Sequence, residues 1–157
     1  MAAKYGNRTV DGINEAARQA GNLVRHARDV QAFFRQKFAE GDQAHTHVRY
    51  LGDVEGVPLA FRLDTPFGEV RADFGIARVG DVLVGRYAFS RVAQLASGDV
   101  EAKECYAFIF SRQGVGSFDE TLDQDWTFSL TDYASEQHAF NVANQLLGHL
   151  IESLPVV

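Results

Sequence analysis

The chain has 157 residues, 46% of them hydrophobic and 23% charged, with a net charge of −6. That composition fits one globular domain able to bury about 70% of its unfolded surface, and it gives no indication of disorder. The acidic balance disfavours nonspecific nucleic-acid binding, which needs a concentrated cationic footprint. The single cysteine, Cys105, excludes an intramolecular disulfide and a Cys-based zinc site built from one chain. The start lacks an apolar signal-peptide region, and no stretch approaches transmembrane length. The expectation is a cytoplasmic, single-domain protein over residues 1–157, with no membrane and no nucleic-acid partner.

Residues 11–40 read as an amphipathic helix. Ile13, Ala17, Ala20, Leu23, Val24, Ala27, Val30, Phe34 and Phe38 recur at three- and four-residue steps, while Arg18, Asn22, Arg25, Asp29 and Gln36 fall opposite. Asp11 is the expected N-cap, and Gly41 the residue just past the C-terminus.

From His45 onward the period changes to two. Val48 and Tyr50 open the series, followed by Leu59, Phe61 and Leu63, then Val70, Ala72, Phe74 and Ile76, then Leu83, Tyr87 and Phe89. Tyr106, Phe108 and Phe110 come next, and Trp126, Phe128 and Leu130 close it. Such alternation marks half-buried antiparallel strands. Turn signals at 52–56, 65–68, 79–81 and 97–99 are too closely spaced for parallel crossovers, so hairpins are expected. The segment 113–125 has no periodicity and reads as a loop. A second amphipathic helix is predicted from about 133 to 153, with Phe140, Ala143, Leu146, Leu147, Leu150, Ile151 and Leu154 on its apolar side and Pro155 as a stop. Together these elements predict an α+β two-layer sandwich. A five- to six-stranded antiparallel meander would carry an N-terminal and a C-terminal helix on its aromatic face.

The other face is then the candidate functional surface. Arg49, Arg62, Arg71 and Arg86 sit mid-strand, in phase with one another and out of phase with the aromatic residues. His47, Ala60, Asp64, Asp73, Val84, Ala88, Cys105, Ala107 and Ile109 share that phase. Converging guanidinium groups bind carboxylate or phosphate, so His47, Arg49, Arg62, Arg71 and Arg86 are the candidate ligand-binding residues. Asp64 and Asp73 are placed to pair with Arg62 and Arg71, which would leave a solvated, ion-paired face instead. Val84, Ala88, Ala107 and Ile109 form an apolar patch suited to a symmetric homodimer.

Other chemistry is weakly signalled. His45 and His47 could share a metal only with a third ligand that no spacing supplies. Asp119, Glu120, Asp123 and Asp125 do not follow the EF-hand pattern. Nucleophile-elbow, dinucleotide and P-loop fingerprints are absent. No catalytic residue, metal or cofactor is implied. The polar stripe His138, Asn141, Gln145, His149 and Glu152 reads as the solvated side of the last helix. The expected function is a non-catalytic binding or adaptor module acting as a homodimer. The alternative is a small anionic-ligand binding protein or enzyme using the arginine face, with an acidic inhibitor protein as a third class.

Overall fold

The computed structural model describes residues 4–6, 8–39, 47–117, 127–129 and 136–157. Gly41, His45, the acidic run 119–125, Trp126 and Leu130 lie outside the described residues. A short antiparallel ribbon, β1 (Lys4–Tyr5) and β2 (Arg8–Thr9), leads into α1 (Val10–Lys37). The N-cap is Thr9, not Asp11. Thr9 is extended, and its Oγ1 accepts from the Gly12 amide at 3.1 Å. Asp11 falls instead in the first turn, where a carboxylate favours the positive end of the helix dipole.

One antiparallel sheet follows, with spatial order identical to chain order: β3 (Arg49–Asp53), β4 (Phe61–Thr65), β5 (Gly68–Val79), β6 (Val82–Gln94), β7 (Val100–Phe110), β8 (Val115–Ser117) and β9 (Thr127–Ser129). The predicted meander is present. Its additional strand, β8, lies within the segment read as a loop, because three residues are too few to display alternation. Helix α2 (Glu136–Glu152) closes the chain. Among the described residues, no helix is long and apolar enough to cross a membrane.

A buried aromatic cluster occupies the predicted phase of the strands. The Tyr87 ring lies 5.6 Å from Phe61, 5.7 Å from Phe74, 5.9 Å from Phe108 and 6.4 Å from Phe110, measured between centroids. Leu23, Ala27, Val30, Phe33 and Phe34 of α1 join this cluster, as do Ala139, Val142, Ala143, Leu146, Leu147 and Leu150 of α2. Two glycines are required by geometry. Gly80, at φ 62°, turns the chain from β5 into β6. A Cβ on Gly85 would stand 2.3 Å from the Phe110 ring, its cross-strand partner, so only glycine admits that ring.

Two bulges modify the alternation. Leu51 is the extra residue of β3, between the Tyr50–Leu63 and Gly52–Arg62 pairs. Cys105 is the extra residue of β7, between the Tyr106–Phe89 and Glu104–Ser90 pairs. Cys105 therefore packs against the aromatic cluster rather than on the arginine face, and its thiol donates to the Phe89 carbonyl at 3.2 Å. The apolar patch also differs from expectation. Val84, Ala107 and Ile109 are buried at 0%, 6% and 1% exposure within a single chain, so they are not open for a second subunit.

Phe108→Ala should destabilise the protein by about 3–5 kcal/mol in urea unfolding, as loss of a buried ring does. Gly85→Ala should cost about 1–3 kcal/mol by the same measurement, because Phe110 is fully buried and has no room to retreat.

Candidate functional site

The arginine-bearing face is built by strand register. Arg49 stands opposite Asp64, Arg62 opposite Arg71, Arg71 opposite Ser90, and Ser90 opposite Glu104. Two like charges directly opposed, as Arg62 and Arg71 are, repel unless each is neutralised locally. The strands provide that neutralisation. Arg49 contacts Asp64 at 3.2 Å, Arg62 contacts Glu69 at 3.0 Å, and Arg71 forks onto both oxygens of Asp73 at 3.0–3.2 Å. Arg86 grips Glu104 through two hydrogen bonds of 3.0 and 2.6 Å. The expected Asp73–Arg71 pair is present. Asp64 serves Arg49 rather than Arg62, because cross-strand register sets the partner.

Glu104 reaches this face only because of the Cys105 bulge. Strict alternation from Tyr106 would have sent residue 104 to the aromatic side and residue 103 to this one. The bulge reverses the parity beyond it, so Ala102 and Val100 join the arginine face opposite Val92 and Gln94.

His47 is exposed, with a left-handed backbone at φ 59°. It lines a shallow open depression of about 360 Å³ with Val48, Arg49, Asp64, Thr65 and Pro66. Arg62, Arg71 and Arg86 do not line it, and Arg86 stands two side-chain steps along β6 from Ser90, the residue opposite Arg71. The five candidate residues therefore share a face without converging on one point. A second concavity of about 410 Å³ lies between the start of α1 and the β5–β6 turn, lined among others by Arg8, Glu15, Gln19 and Asp81. Among the described residues no group of three or more His, Cys, Asp or Glu could hold a metal ion.

On the α1 side, a polar node escaped sequence reasoning. The Tyr50 hydroxyl and the Gln31 amide both donate to Asp53, and Arg35 binds the two Asp53 oxygens at 3.1 and 3.0 Å. The Arg35 guanidinium also lies 6.0 Å from the Tyr50 ring centroid. Burial, reinforced by the Asp53 hydrogen bond and charge, pushes Tyr50 up to about 12. The same hydrogen bond, aided by Arg35, holds Asp53 below its ordinary value. The sequence contained no signal for this cluster, since Gln31 and Arg35 read as ordinary outer positions of a helix. Cys105 is a poor nucleophile: burial raises its thiol above the usual value, with the nearby Arg91 charge only partly opposing.

Comparison with protein-family models, characterised proteins and solved structures gives no match.

The Tyr50 node predicts an alkaline limb of stability. A raised folded value means that the unfolded chain, ionising near pH 10, gains charge first. The stabilisation is therefore full below about pH 10 and is lost as the pH rises toward about 12. Titration of tyrosinate absorbance should show at least two late-ionising phenols, Tyr50 and Tyr87, of which the Tyr50 step moves down in Asp53→Asn. A titration unchanged by that substitution would contradict the assigned network.

Proposed function

We propose that the chain is a non-catalytic binding or adaptor module that works as a homodimer through its arginine-bearing sheet face. The layered arrangement behind this reading has both helices on the aromatic side, which leaves the part of the charged face away from the buried Val84, Ala107 and Ile109 as the recognition surface. The observation that carries it is the pairing of Arg49, Arg62, Arg71 and Arg86 with Asp64, Glu69, Asp73 and Glu104. A small anion would have to displace those carboxylates. A protein surface would not, because it can match an alternating lattice of both signs as a whole. Such a lattice is also self-complementary: a two-fold axis brings the guanidinium groups of one copy over the carboxylates of the other.

Apolar contact would come from Val92, Ala102 and Val100, the last 68% exposed, rather than from the buried Val84, Ala107 and Ile109. Individual surface ion pairs contribute only about 0–1 kcal/mol, so orientation rather than strength is their role. The depression at His47 and Arg49 supports a second reading, a small anionic ligand or substrate, for which Arg49 would release Asp64.

Sedimentation velocity over a concentration series should show a monomer–dimer equilibrium. Val100→Glu should weaken it about tenfold or more, by placing a charge in the apolar strip. Sedimentation of the unmodified protein as a concentration-independent monomer overturns the proposal.

A further inference from the structure

The bulge at Cys105 has a second effect, on the opposite side of the sheet. It brings Lys103 onto the aromatic phase of β7, directly across from Arg91 of β6. Arg91 follows Tyr87 and Phe89 at period two, so it is a cation in the phase otherwise assigned to the core. The pair lies one side-chain step beyond Phe89 and Tyr106, with Val70 of β5 on the other flank of Arg91. Two cations so placed repel each other.

Among the described residues, no carboxylate is paired with either of them. The other half-buried arginines among the described residues, Arg49, Arg71 and Arg86, each hold an acid. Arg91 is half-buried too, yet among the described residues neither it nor Lys103 forms an ion pair. The Arg91 Nε is shut off from solvent and has no hydrogen-bond partner. Glu104, next in sequence to Lys103, faces the other way and is held by Arg86. Glu101, opposite Ala93 one step further out, forms no ion pair among the described residues either.

A guanidinium donor that is buried, charged and without an acceptor is costly to the fold, and a facing ammonium adds to the cost. An oxyanion would supply the negative charge that both lack. We propose that Arg91 and Lys103 form a binding site for a phosphate dianion, such as the phosphate group of a small soluble ester. Arg91 offers the Nη–H groups at the outer end of its guanidinium to two of its oxygens, and Lys103 offers a point charge to a third. The aromatic side of this site, Phe89 and Tyr106, is rigid: Tyr106 stacks on Phe89 at 5.6 Å and on His149 of α2 at 4.6 Å. The site lies on the face opposite the proposed dimer surface and does not depend on it.

The test titrates the protein with inorganic phosphate, against sodium chloride at matched ionic strength, and reads the thermal unfolding midpoint. Phosphate should raise the midpoint saturably and chloride should not. Lys103→Met, at an exposed position, should weaken the apparent affinity about tenfold. Arg91→Met keeps a flexible apolar stem in the half-buried slot and should abolish the phosphate effect. In chloride alone it should leave the midpoint unchanged or higher, because it removes an unpaired donor and a repulsion. Absence of a saturable rise in the unmodified protein overturns the proposal, as does a rise retained in Arg91→Met. A lower midpoint of Arg91→Met in chloride also counts against it, since that would mark Arg91 as a structural group.

Discussion

The fold depends on one buried phenol. Tyr87 is fully buried at the middle of β6, and its hydroxyl stands 2.8 Å from the Leu59 carbonyl and 3.2 Å from the Ala27 carbonyl of α1. One proton serves two acceptors, so the group ties the central strand, the β3–β4 connection and the first helix at a single point. Burial pushes this phenol far above its ordinary value. Leu59 holds an uncommon left-handed backbone at φ 68°, a conformation costing a leucine about 1 kcal/mol or more. The Tyr87 bond is one of the contacts that hold it there. Around the hydroxyl, the ring meets Phe61, Phe74, Phe108 and Phe110, so the polar anchor and the apolar core are one object.

The second organising feature is the Cys105 bulge. An antiparallel sheet with strict alternation would have placed Glu104 among the rings and Lys103 on the arginine face. One extra residue exchanges them. Arg86 thereby gains a bidentate carboxylate, and Arg91 gains a second cation as its neighbour. Among the described residues, the charged face becomes balanced and the rim of the aromatic face becomes unbalanced through the same local device. Balanced, preorganised charge suits a broad partner surface, and unbalanced, partly desolvated charge suits a compact anion.

The sequence by itself determined the class of the fold. Period-two runs separated by turn residues require antiparallel hairpins, and the rings at Phe61, Phe89, Phe108 and Phe110 announce the buried face because aromatic area is too large to leave in water. Helical periodicity placed α1 and α2 to within a few residues, and the arginine row was visible as a phase. Periodicity, however, is blind to a single inserted residue, and therefore to Cys105 and Leu51 as bulges. Partner choice among the charges lay with tertiary structure for the same reason: Asp64 meets Arg49 and Glu104 meets Arg86 through register, which is set between strands and not along one. Burial of Val84, Ala107 and Ile109 is likewise a property of the folded chain, since small apolar residues in an outward phase look the same in sequence whether covered or open. The one overlooked local signal was Arg91, a charge in the aromatic phase. Its meaning came only from the absence of a paired carboxylate among the described residues and from the residue that the bulge set opposite it.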